Sequence, residues 1–211
     1  MLRPTFPIET ERLTLRPFRE DDLESLYAYQ SLPEVARFLY WEPRDREESR
    51  SFLREKMAAA TLEKEGDWLV LAVEWRETGD LVGEVNLQWR SREHRQGEIG
   101  YILNPSFHGK GFATEAAEVV LRLGFEGLGL HRIVGRLDGR NAASARVLER
   151  LGMRREAHLV QNELVKGEWT DEVVYAMLRD EWEARGSGGP GGSEEPAGSG
   201  PDGSGGEPEQ D

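Results

Sequence analysis

Between Trp68 and Thr114 the sequence sets out an order of elements that few folds accommodate: an antiparallel hairpin, a third strand, then a glycine pair opening a helix. Trp68-Leu69-Val70-Leu71-Ala72-Val73-Glu74-Trp75 reads as a strand, Thr78-Gly79-Asp80 as a turn, and Leu81 to Trp89 as the returning strand. After a polar loop, Glu98-Ile99-Gly100-Tyr101-Ile102-Leu103 forms another strand, which stops at Asn104-Pro105. His108-Gly109-Lys110-Gly111-Phe112-Ala113-Thr114 then leads into a helix to about Glu126, with Ala113, Ala116, Val120 and Leu123 at core spacing.

The flanks extend this pattern. Leu13 to Phe18 alternates as a strand, Asp21 or Asp22 is placed to cap a short helix through Tyr29, and Pro33 opens a further turn. A charged helix is expected from Pro43 to about Lys64, with Leu53, Met57 and Ala60 as its buried stripe. Downstream come a strand at Arg132–Leu137, a helix at Asn141–Leu151, and strands Met153–Leu164 and Trp169–Leu178 joined at Lys166-Gly167. The expected class is α/β (α+β), a mixed sheet with helices on its faces.

The last 26 residues, Gly186 to Asp211, hold ten Gly, four Ser, four Pro and six acidic residues, with Ala197 the only apolar side chain. Such a segment buries too little surface to offset its ordering entropy, so it is expected to be a disordered tail behind one domain over residues 8–184. The formal charge is −13, of which the tail carries −6, leaving the body at −7. This acidity speaks against nucleic acid and anionic membrane as partners and attracts amines or basic peptides. The chain has no cysteine, which excludes disulfides, thiolate metal ligands and a cysteine-borne acyl group. His94, His108, His131 and His158 show no metal-ligand spacing, so no metal is expected. With no apolar run long enough to span a bilayer, a cytoplasmic protein is expected, as monomer or homodimer.

A glycine pair before a helix lets the backbone approach a ligand, and the unpaired N–H groups of the helix start attract a phosphate or pyrophosphate. The same pattern also serves as an ordinary tight turn. A P-loop is excluded, because Phe112-Ala113 stands where Lys-Ser or Lys-Thr would be needed, and a Rossmann turn lacks its third glycine.

The turn His108-Gly109-Lys110-Gly111-Phe112-Ala113 resembles the Gln/Arg-x-x-Gly-x-Gly/Ala motif of the GCN5-related N-acetyltransferases (GNAT), with His108 in place of Gln or Arg. The likeness spans roughly Glu11 to Trp182. Glu9-Thr10-Glu11-Arg12-Leu13-Thr14-Leu15-Arg16, Gly109 to Ala116, and Asn141 to Met153 resemble the RimJ/RimL branch, which acetylates ribosomal-protein N-termini. The resemblance implies a mostly antiparallel twisted sheet splayed at its centre and acetyl-CoA as co-substrate. It places the pyrophosphate on His108, Gly109, Lys110, Gly111, Phe112, Ala113 and Thr114. It pairs the pantetheine arm with Tyr101, Ile102 and Leu103, and adds Asn141 and Ser144 to the coenzyme site.

Amine attack on a thioester needs a base for the ammonium and benefits from a proton donor at sulfur. An α-amine is roughly a tenth deprotonated at pH 7, a lysine-like amine far less, so the demand on the base depends on the acceptor. The family's usual tyrosine, seven residues after Asn141, is Leu148 here. The branch implies Ser144 as the sulfur-side donor and Glu163 as a base acting through water, with Glu98 as a rival base. Against these stand plainer roles. Asn141 could serve only as an N-cap, Ser144 as a capping or packing residue, and Glu163 as a water-facing strand residue. Tyr27, Tyr29, Tyr40 and Trp41 could line an acceptor pocket or belong to the core. The expected reaction is direct acetyl transfer from acetyl-CoA to a primary amine, either a protein N-terminus or a small amine. The alternative is a non-catalytic acyl-CoA-binding sensor or scaffold.

Overall fold

The structure is a computed structural model that describes residues 1–187. Its strands are β1 (Ile8–Glu9), β2 (Leu13–Arg16), β3 (Trp68–Trp75), β4 (Leu81–Ser91), β5 (Gln96–Leu103), β6 (Arg132–Asp138), β7 (Arg154–Val165) and β8 (Glu168–Leu178). The helices are α1 (Leu23–Gln30), α2 (Pro33–Ala36), α3 (Arg46–Ala58), α4 (Phe112–Arg122), α5 (Ala142–Arg150) and α6 (Arg179–Ser187). The strands form one mixed sheet in the order β1-β2-β3-β4-β5-β6-β8-β7, in which only β5 and β6 run parallel.

Alternate residues of the strands supply two separate cores. Leu69, Leu71 and Val73 with Val85, Leu87 and Ile99 face α4 and α5, where Ala116, Ala117, Val120 and Leu148 meet them. Val70 and Ala72 face the other way, toward Leu26, Tyr29 and Leu53 of α1 and α3. On that second face the helices cover β2 to β4 but leave β6 to β8 open to the α2–α3 loop. The β5–β6 pairing runs only from Gln96↔Arg132 to Ile99↔Gly135, so the two strands part after Ile99, as the central splay requires.

Several boundaries differ from the sequence expectation. The charged helix is shorter at both ends. It starts behind Asp45, whose carboxylate accepts from Glu48 N at 2.9 Å while Glu48 accepts from Asp45 N at 2.8 Å. It ends at Ala58, because Leu62 N donates to the Leu2 carbonyl at 2.9 Å and the Ala59 carbonyl accepts from Val70 N at 2.7 Å instead of continuing the helical ladder; Ala60 therefore lies outside it. Asp22 stands at the N-cap position of α1, but its side chain makes no cap hydrogen bond to that helix and instead accepts from Arg19 N at 2.7 Å. It is buried and receives Arg16 bidentately, at 2.8 and 2.7 Å. The helix after the glycine turn ends at Arg122 and continues as a π-turn, Leu123–Gly127. Two elements were not anticipated: β1, and α6, which follows β8 directly and includes Gly186 and Ser187. The rest of the segment read as a disordered tail lies outside the described residues.

Candidate active site

The strand-to-helix turn is built from two glycines that no other residue replaces without strain: Gly109 and Gly111 have φ of +78° and +81°. Gly111 is the N-cap of α4 and offers no side-chain cap, so the first N–H groups of this helix lack a protein acceptor at that position. Thr114 Oγ1, in the first turn, is buried and has no hydrogen-bond partner among the described residues. An uncapped helix start beside an orphan hydroxyl suits the oxygens of a pyrophosphate.

A cavity of about 600 Å³ runs from this turn along the splay between β5 and α5. Tyr101, Ile102, Leu103, His108, Gly109, Gly111, Phe112, Ala113, Thr114, Asn141 and Ser144 all line it, so the structure brings eleven of the twelve expected coenzyme residues together. Lys110 is the exception: its ammonium lies 4.3 Å from the centre of the Trp75 ring and the residue is not among those lining the cavity. His108 ties the turn back to the strand through Nε2 and the Leu103 carbonyl, 3.2 Å apart. Past Ile99, β5 is paired with β4 but with no strand on its other side, which leaves backbone groups for an extended ligand.

Asn141 caps α5, its Oδ1 accepting from Ser144 N at 3.1 Å, and stands in the cavity wall. Ser144 is half-buried, its carbonyl receives Tyr101 OH at 2.9 Å, and its hydroxyl makes no hydrogen bond among the described residues. Burial, partly offset by that hydrogen bond, raises the Tyr101 phenol above its usual range and keeps it protonated. Leu148 packs over Gly135 where the strands part; a Cβ there would come within 2.8 Å of both Leu148 methyls.

Glu163 and Glu98 do not line the cavity; they belong to a polar cluster on the open face. Strand alternation puts Glu98 of β5, Arg136 of β6, Glu172 of β8 and Glu163 of β7 on one side. Arg136 Nη1 donates to Glu172 Oε1 at 2.8 Å, and Asn162 Nδ2 donates to Glu172 Oε2 at 2.9 Å. Glu98 Oε2 lies 3.3 Å from Arg90 and 3.5 Å from Arg136, yet it is buried and receives no well-aligned hydrogen bond. Burial raises the Glu98 carboxyl above the usual glutamate range; Arg90 and Arg136 offset this in part, and Glu172 and Glu163 add to it. Glu163 Oε2 instead accepts from Tyr40 OH at 2.6 Å. Of the four aromatics, Tyr40 alone reaches this cluster, and it is 73% exposed. Tyr29 is core, with its OH donated to Glu84 at 2.9 Å; Tyr27 is half-buried, and Trp41 stacks on Arg44 at 4.2 Å. Sequence reasoning missed Arg136, Glu172 and Asn162, which β-register alone assembles. It also missed the grip of Thr10 and Arg12 on Glu115 beside the turn, although both flanking phrases were visible.

A sheet that opens between β5 and β6, with a glycine turn suited to an anion at one end and a carboxylate where the strands rejoin, has the architecture of a CoA-dependent acyltransferase. The chain belongs to the family described as Acetyltransferase (GNAT) domain, whose model matches residues 12–154. It is similar to the solved acetyltransferase (GNAT family) from Bacillus anthracis, at 33% identity over 83% of this chain and 100% of that one, with a TM-score of 0.75. Among curated relatives, the spermidine N(1)-acetyltransferase of Escherichia coli K12 is 25% identical over 80% of this chain and 87% of its own length. The [ribosomal protein uS5]-alanine N-acetyltransferase of the same organism is 26% identical over 85% and 94%. No described helix is long and apolar enough to cross a membrane, and no group of metal-ligating side chains occurs among the described residues.

Proposed function

We propose that this protein transfers the acetyl group of acetyl-CoA directly to a primary amine. The observation that carries this reading is the split after Ile99 and Gly135, which runs from the uncapped start of α4 to the edge of the Glu98 cluster. The pyrophosphate would rest on Gly109 to Thr114 and the pantetheine arm along Tyr101 to Leu103, bringing the thioester toward the end where the strands rejoin. The amine attacks the carbonyl carbon, the C–S bond breaks, the amine's proton passes to a base, and CoA leaves as its thiol.

For the base we favour Glu98 over the Glu163 expected from sequence. Glu98 immediately precedes Ile99, the last residue paired across the split, and burial raises its carboxyl, which makes it a stronger proton acceptor than an ordinary glutamate. Glu163 is held by Tyr40 and would form the outer wall of the acceptor site. Ser144, with a free hydroxyl in the cavity, would serve the departing sulfur. Carboxylates on the open face and a net charge of −13 favour a cationic acceptor. A small amine and a protein N-terminus both meet that description, and relatives named for each kind exist. Leu148 at the usual tyrosine position favours one other reading, a sensor that binds acyl-CoA without turnover.

Release of free CoA thiol from acetyl-CoA, measured with spermidine and with peptides beginning in Ala or Ser, tests the proposal. Release that depends on one of these acceptors supports it. CoA binding without release from any of them favours the sensor.

A further inference from the structure

Two stretches far apart in sequence, Thr10-Glu11-Arg12 and Lys110 to Glu115, interlock beside the glycine turn. Glu115 Oε1 receives Thr10 Oγ1 at 2.6 Å and Arg12 N at 2.9 Å, while its Oε2 receives Arg12 Nε at 2.7 Å. The other arm of the guanidinium does something different: Arg12 Nη1 donates to the carbonyl of Lys110 at 2.8 Å. The plane of Arg12 lies 5.0 Å over the Phe112 ring, and a Cβ on Gly111 would meet its Nη2 at 3.4 Å.

The Lys110 carbonyl belongs to the peptide that joins the two halves of the turn. In a planar trans peptide the C=O and the following N–H point in opposite directions. Holding the Lys110 oxygen toward Arg12 therefore turns the N–H of Gly111 away from Arg12. A glycine at φ +81° is free to rotate, so something outside the turn must choose its orientation. Glu115 makes that choice stable. It anchors Arg12 at three points and is 16% exposed, and its hydrogen bonds to Thr10 and Arg12 outweigh the effect of burial and hold its carboxyl below the usual range.

We infer that Arg12, anchored by Glu115, is a positioning residue that presets the glycine turn for the coenzyme pyrophosphate without touching it. This rests on the reading of acetyl-CoA as co-substrate. Affinity for CoA and for 3′-dephospho-CoA, both of which carry the pyrophosphate, is measured by calorimetry on the full chain. The variants are Arg12→Ala, Arg12→Lys and Glu115→Gln, with Arg3→Ala, at an exposed ion pair elsewhere, as reference. Melting of the ligand-free proteins is followed alongside.

Arg12→Ala is expected to weaken both ligands alike, by tenfold or more. Arg12→Lys, which keeps one donor for the Lys110 carbonyl, falls between it and wild type, and Arg3→Ala matches wild type. Glu115→Gln keeps the packing and loses affinity in the same ratio for both ligands, which preserves the test if Arg12→Ala does not fold. Loss confined to CoA would show Arg12 contacting the 3′-phosphate and would overturn the positioning role. Unchanged affinity for both ligands in Arg12→Ala and Glu115→Gln overturns it too. A wild type that binds neither ligand refutes the coenzyme reading itself, a result distinct from either.

Discussion

Replacing Glu98 by Gln removes one carboxylate while keeping the side chain's shape. The site loses a proton acceptor whose side chain is 17% exposed, and the cations left facing it, Arg90 and Arg136, are 47% and 40% exposed and can hydrate. Burial raises this carboxyl despite both arginines, so its charged form gains little from the fold and the cost in stability is small, below about 1 kcal/mol. The cost in catalysis is of another order. A positioned general base contributes roughly 10²–10⁴-fold, or about 2.7–5.5 kcal/mol of barrier. The substitution should therefore lower kcat by at least a hundredfold while melting stays near wild type. The pH profile sharpens the test. The base works deprotonated, and burial raises the carboxyl above the glutamate value of 4.5, so wild-type kcat/KM must fall as pH drops through a limb lying above 4.5. In Glu98→Gln that limb disappears. The assay is initial-rate thiol release from pH 5 to 8 with the best of the three acceptors, run beside Glu163→Gln. A Glu98→Gln enzyme within threefold of wild type, with Glu163→Gln collapsed and the limb gone, would return the base to Glu163.

Other substitutions probe separate parts of the structure. Ser144→Ala should lower kcat about tenfold or more with little change in affinity for CoA, because the hydroxyl makes no other hydrogen bond; equal loss of CoA affinity in calorimetry would make it a binding residue instead. Asp22→Ala removes the bidentate acceptor of Arg16, whose side chain is 7% exposed, and leaves it Glu74 and the Pro17 carbonyl; the loss should cost roughly 1.5–3 kcal/mol. At about 2–4 °C per kcal/mol the melting temperature falls by roughly 3–12 °C, and a drop under about 1 °C in scanning calorimetry would contradict this. Glu115 has a folded-state carboxyl below its ordinary 4.5, so the stability it contributes is present above that value and lost as pH falls through the lower one. The gap in melting temperature between wild type and Glu115→Gln should thus close between pH 6 and pH 3; a gap that widens toward acid is the contrary result.

What was legible in the sequence was local or rested on matched phrases. The hairpin from Trp68 was readable because its strands are apolar runs bounded by turn residues. The glycine turn was readable because only glycine tolerates the backbone that Gly109 and Gly111 adopt. Asn141 announced itself as a cap by residue type. What failed depended on partners remote in sequence. Helix α3 ends where Leu62 N–H and the Ala59 carbonyl pair with Leu2 and Val70, which no helical periodicity records. Asp22 looked like a cap because its true partner, Arg16, sits on a strand. The polar cluster on the open face exists only once β5, β6, β8 and β7 are ordered and registered, so Arg136 and Glu172 carried no signal by themselves. Strand β1, two residues long, is too short for any period.

The proposed reaction is direct acetyl transfer to an amine at the split between β5 and β6. Incubation with acetyl-CoA labelled in its acetyl group, together with the best acceptor, followed by mass spectrometry of acceptor and protein, tests it most directly. One labelled amide on the acceptor is expected for each free CoA thiol, with no label on the protein. Label lodged on the protein chain, or thiol released without acetylated acceptor, would contradict it.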